Sequence, residues 1–202
     1  MKKVLGIVLL LLVGSIFSGF ISKAGSRITA RRFIENNSNP DTSGMVYPVA
    51  GKKSFVGSFW GAVRDGGKRK HEGIDIFARK GTPVVAVADG VVVEAGNTAR
   101  GGKTIWLRSF NDDFYYYYAH LNEQFVRSGQ TVKKGEHLGT VGNTGNAKLT
   151  PPHLHFGIYS YTGPINPLPY VKNLRKVAIP GNAKKPSQEV RAKQPASRRI
   201  AV

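Results

Sequence analysis

Between residues 45 and 170 the chain consists of short runs rich in Val, Ile, Tyr and Phe, each cut off by a cluster of Gly, Pro, Asn or Asp. That punctuation most constrains the fold, because a helix needs ten or more residues of unbroken 3.6-period patterning and these runs do not supply it. With 24 Gly and 11 Pro the chain is still 41% hydrophobic, enough apolar material for a core made of short strands and sharp reversals.

The runs predict strands at residues 83–88, 90–95, 104–109, 114–119, 138–141 and 154–159, with Asn111, Asp112 and Asp113 as a hairpin turn between the third and fourth. Two segments are built alike, since GTPVVAVADGVVVEAG from Gly81 and GQTVKKGEHLGTVGNTG from Gly129 each set apolar strand residues against glycine-marked reversals. Paired segments of this kind point to two related halves. The expected fold is therefore all-β, a barrel-sandwich hybrid of mostly antiparallel strands with an open groove, preceded by an N-terminal hydrophobic helix.

That helix is expected at residues 1–21, where Lys2 and Lys3 precede an uncharged apolar run, and it reads as a signal peptide or a membrane anchor. Residues 22–44 are polar and basic without apolar periodicity and read as a flexible tether. Residues 45–170 form the folded domain, and residues 171–202, dominated by Lys, Arg, Pro, Ser and Ala, read as a disordered basic tail. The formal net charge of +18 attracts polyanions. Because much of that charge lies outside the strand-rich segment and no base-reading motif is present, nucleic acid is set aside in favour of an anionic wall polymer or lipid surface.

The chain has no cysteine, so a metal would have to be held by imidazole and carboxylate. His71 and Asp75 stand four apart in HEGID; on an extended segment both project to one face, Ile74 and Ile76 to the other, with Gly73 leaving room for an ion. His153 and His155 in PHLHF again share a face, opposite Leu154 and Phe156. A catalytic zinc site takes three His or carboxylate ligands and keeps a fourth position for water; His71, Asp75 and one of the paired histidines supply such a set. His137, in KKGEHLG, reads as a surface residue.

HEGID, YAHL and PHLHF, in that order, resemble the three signatures of the lysostaphin-type (LytM-type) zinc metallopeptidases, over roughly residues 47–167. The resemblance implies one Zn2+ held by His71, Asp75 and His155, with His120 and His153 as unligated catalytic histidines, either of which can be the general base. It implies a peptidoglycan endopeptidase acting in the cell envelope, cleaving stem-peptide crosslinks or bridges. Some members of that family lack ligands and act as activators of other wall enzymes, so a non-catalytic wall-binding or activator module is the competing expectation. Tyr116 and Tyr118 share parity with His120 and are expected along the substrate groove, with Asn143, in an NTG-type turn, near its entrance.

Overall fold

The computed structural model describes residues 40–179. The expected hydrophobic helix at 1–21, the tether up to residue 39 and the tail from residue 180 lie outside the described residues.

The described chain is antiparallel β-structure with very little helix. Its strands are β1 Ser54–Ser58, β2 Val63–Arg64, β3 Arg69–Lys70, β4 Ile74–Ala78, β5 Pro83–Val85, β6 Gly90–Thr98, β7 Gly102–Ser109, β8 Tyr115–Gln124, β9 Thr131–Val132, β10 His137–Val141, β11 His153–Ser160 and β12 Gly163–Ile165. One helical turn, Leu168–Val171, follows. The main sheet runs β1-β4-β11-β8-β7-β6-β9, with β10 bridging β5 and β8 and β12 on β11; β2 and β3 form a separate hairpin.

Each expected strand is present, although the run at 83–88 is a strand only as far as Val85, the one expected at 114–119 runs Tyr115–Gln124, and the other four are longer than expected at one end or both. The turn at Asn111–Asp113 joins β7 to β8, tightened by the Phe114 amide donating to the Asp112 carboxylate at 2.9 Å. The two similar segments pair with each other reciprocally. β5, the first strand of one, lies against β10, the second of the other, and β6 lies against β9.

Alternation drives the packing. Ile74 and Ile76 of β4, Leu154, Phe156 and Ile158 of β11, Ile105 and Leu107 of β7, and Tyr116 and Tyr118 of β8 are wholly buried in one cluster with Val49, Val92, Leu121 and Leu138. Each aliphatic side chain among them contributes about 1.5–3 kcal/mol by leaving water. The opposite faces of the same strands are free to build a groove. Beyond residue 170 the chain stays attached to the domain: Val171 is fully buried, and the carbonyls of Arg175 and Val177 accept from the amides of Tyr47 and Gly51. The expected boundary at residue 170 therefore falls short, because this segment finds backbone partners that composition does not reveal.

Candidate metal centre and groove

Four strands place the site in one cross-strand row. Ser58 of β1 pairs with Asp75 of β4, Asp75 with His155 of β11, and His155 with Ala119 of β8. Directly opposed residues on one face of an antiparallel sheet bring their Cβ atoms to roughly 4.5–5.5 Å, so register alone sets Asp75 and His155 side by side.

His71 arrives differently from the sequence expectation. It is not on β4; it follows β3, and the chain bends at residues 72–73 before β4 begins. Its position is held by the backbone: the His71 amide donates to the Ala62 carbonyl, and the Gly61 amide donates to that of His71. The space at Gly73 also has another tenant than expected. A Cβ there would lie 2.6 Å from His155 Cε1 and 2.7 Å from the Phe156 carbonyl oxygen, so the missing side chain admits the His155 ring.

The three donor atoms form a nearly equilateral triangle. His71 Nε2 lies 2.9 Å from His155 Nδ1, and Asp75 Oδ1 lies 3.0 Å from each nitrogen. This is the cluster among the described residues able to hold a metal ion. A tetrahedral zinc centre with bonds of about 2.0–2.1 Å has ligand-to-ligand edges of about 3.3–3.4 Å, so the triangle fits after opening by a few tenths of an ångström. The tautomers fit as well. The Phe59 carbonyl, which can only accept, lies 2.9 Å from His71 Nδ1; that nitrogen carries the proton and Nε2 offers its lone pair.

Burial works against a charge on Asp75, yet hydrogen bonds and charge from His155 and His71 hold its carboxyl well below the usual carboxylate range. Burial lowers the pKa of His155 despite the pull of Asp75. The donor set is thus an ionised carboxylate with a neutral imidazole, the forms a metal requires.

His120 and His153 face each other beside this triangle, ring centroids 5.0 Å apart, with His120 6.0 Å from His155. Both are oriented by backbone carbonyls: His120 Nδ1 donates to Thr144 at 2.9 Å and His153 Nδ1 to Pro151 at 2.8 Å. Each therefore keeps an unprotonated Nε2 when neutral. Burial, then the charges of His153 and His155, push the His120 pKa down to about 4. His120 sits at φ 62°, a conformation uncommon for a residue with a side chain. It belongs to a β-bulge: between the pairs Lys103↔Leu121 and Ile105↔Tyr118, two residues of β8 oppose one of β7.

That bulge overturns the parity argument for the tyrosines. With one residue inserted, Ala119 and His120 both reach the groove, and the alternation resumes with Leu121 in the core. Tyr116 and Tyr118 are therefore fully buried; the Tyr118 hydroxyl accepts from the Val87 amide at 3.0 Å and the Tyr116 hydroxyl donates to Asp112 at 2.8 Å. Tyr117 takes the groove position instead, with Trp106 of β7 and Tyr159 of β11, ring centroids 4.4 and 4.8 Å from Trp106. Asn143 does not line the groove; Asn146 does. The Asn143 amide donates to the Lys148 carbonyl at 3.3 Å. The turn's main effect at the site comes from Thr144, whose carbonyl orients His120.

The groove encloses about 450 Å³. Sequence patterning also missed Arg64, which lines it from β2 and donates to Asp75 Oδ2 at 2.6 Å; a lone arginine outside the histidine motifs carries no signal of its own.

Comparison with known proteins gives a consistent set of likenesses. Residues 69–167 match the pattern of Peptidase family M23. The L-Ala--D-Glu endopeptidase of Bacillus subtilis (strain 168) is 43% identical over 114 residues, 52% of this chain and 35% of the relative. The murein hydrolase activator NlpD of Escherichia coli (strain K12) is 39% identical over 125 residues, 62% of this chain and 30% of the relative. The chain thus spans about a third of the length of these two relatives. The catalytic domain of the antimicrobial peptidase lysostaphin from Staphylococcus simulans superposes with a TM-score of 0.53 at 35% identity, covering 60% of this chain and 92% of that domain.

Proposed function

The chain belongs to peptidase family M23, and from that premise we propose that it is a zinc-dependent endopeptidase hydrolysing peptide bonds of peptidoglycan, at stem-peptide crosslinks or bridges, in the cell envelope. The observation that carries the proposal is the completeness of the site: a three-donor triangle beside two histidines with fixed tautomers, at the floor of an open groove. The reciprocal pairing of the two similar segments supports a barrel-sandwich reading of the scaffold.

His71 Nε2, Asp75 Oδ1 and His155 Nδ1 are the atoms that would hold a zinc ion. Zinc bound there would supply a water of lowered pKa, about 7, and would polarise the scissile carbonyl. One of His120 and His153 takes the proton from the attacking water at its free Nε2 and returns it to the leaving amine. The other, likewise neutral, accepts a hydrogen bond at its free Nε2 and so orients the reacting groups. The aromatic wall of Trp106, Tyr117 and Tyr159 excludes water from one flank and gives the extended substrate a flat surface to lie on.

A relative named as an activator favours a second reading, a wall-binding module that uses the groove without chemistry. Purified protein incubated with defined peptidoglycans, with fragments identified by mass spectrometry, separates the two. Metal-dependent, chelator-sensitive release of peptide fragments is expected, and the fragment masses identify the bond. Intact muropeptides in the presence of a bound stoichiometric metal would overturn the proposed hydrolysis and favour the activator reading.

A further inference from the structure

Asp75 offers its two oxygens to different partners. Oδ1 completes the donor triangle, whereas Oδ2 accepts a 2.6 Å ion-paired hydrogen bond from Arg64 Nη2. The same nitrogen donates to Ser58 Oγ at 2.7 Å and lies 2.9 Å from His71 Nδ1. Since His71 Nδ1 already donates to Phe59, the contact with Arg64 is a close approach of two donors. That approach is sustained by the carboxylate beside them, 8% exposed at its side chain.

Arg64 is held in place from behind. It lies on β2, paired with Arg69 of β3, and the hairpin closes through a tight turn in which Asp65, Gly66 and Gly67 all have positive φ. Asp65 in turn accepts from Arg69 at 2.6 Å. The hairpin thus presents one guanidinium to one carboxylate oxygen.

We propose that Arg64 is a positioning residue that restricts Asp75 to a single metal-facing oxygen and so keeps a coordination position open for the reacting water. An aspartate free of such a partner can offer both oxygens to a zinc-type ion, and a second carboxylate oxygen would take the corner that water needs. The guanidinium prevents this by supplying a stronger fixed partner for Oδ2 than a solvent molecule can. The inference rests on the metallopeptidase reading above and adds a role for a side chain outside the donor set.

The test uses Co(II) in place of zinc, because its visible spectrum reports coordination number in the resting protein without any turnover. The native chain should take up one Co(II) with the intense visible bands of a four-coordinate ion. Arg64→Met should still bind one Co(II), but with band intensity reduced by roughly half or more as the second oxygen joins the ion. Turnover of the zinc form should fall roughly 10–100-fold, in kcat and not in KM. Arg64→Lys, which retains a cationic donor for Oδ2, should recover most of the native spectrum, and it also stands in if Arg64→Met does not fold. An Arg64→Met protein with the native spectrum overturns the proposal, as does a rise in KM alone, which would make Arg64 a substrate contact. A native chain that binds no Co(II) overturns the metallopeptidase reading itself.

Discussion

Three of the four histidines at the site are defined by their second nitrogen. His71, His120 and His153 donate from Nδ1 to the carbonyls of Phe59, Thr144 and Pro151, so their chemistry is left to Nε2. The roles then separate on substitution. His71→Ala should lose the metal, read as zinc content after dialysis. His120→Ala and His153→Ala should keep one zinc per chain yet lose about 10²–10⁴-fold in turnover, the usual worth of a positioned acid or base. Near-native turnover in either variant would remove it from the proton path. Gly73→Ala carries no functional group, but its Cβ would press on the His155 ring at 2.6 Å. It should weaken zinc binding roughly 10–100-fold in a chelator competition, a loss of the size expected when a ligand is misoriented.

β8 shows how one inserted residue divides a strand between structure and function. Before the bulge, Tyr116 and Tyr118 face the core and Tyr117 the groove; at the bulge, Ala119 and His120 both turn to the groove. Adjacent tyrosines should therefore respond differently to truncation. Tyr118→Ala removes a fully buried ring and orphans the Val87 amide, and should cost about 3–5 kcal/mol in denaturant unfolding. Tyr117→Ala removes a groove wall; it should cost less stability and raise KM for wall peptide. If Tyr118→Ala proved the milder change in stability and the more damaging in KM, the assignment of faces would be inverted. The β2–β3 hairpin is the other element with a divided task, since its tight turn aims Arg64 at the site while its strands pair only with each other.

At the scale of the whole molecule, the site makes the fold sensitive to acid. Burial, reinforced by neighbouring histidines, holds His120 at about 4 against an ordinary value of 6.5. Between those values the unfolded chain binds the proton that the folded chain refuses, so stability is full above about pH 6.5 and declines as pH falls towards 4. His155, lowered by burial, acts in the same direction, and the depressed Asp75 carboxyl extends the loss below the usual carboxylate range. Chelator-treated protein should show a melting temperature that drops over this window, and His120→Gln should flatten the drop. A constant melting temperature from about pH 6.5 to 4 would contradict the buried neutral histidine. Much of this architecture was legible in the sequence. Strand positions, the turn at Asn111–Asp113 and the pairing of His153 with His155 follow from local periodicity, because alternation and turn chemistry act over a few residues. Spacing nominates His71, Asp75 and one of His153 and His155, the family resemblance selects His155, and register sets Asp75 against it. What tertiary structure decided was everything that local periodicity cannot carry. A bulge that resets parity at His120, a bend that brings His71 in from outside β4, and a hairpin arginine placed on Asp75 Oδ2 all arise from contacts between distant segments. Their energies are those of backbone partners and buried charge, which exist only once the chain has folded.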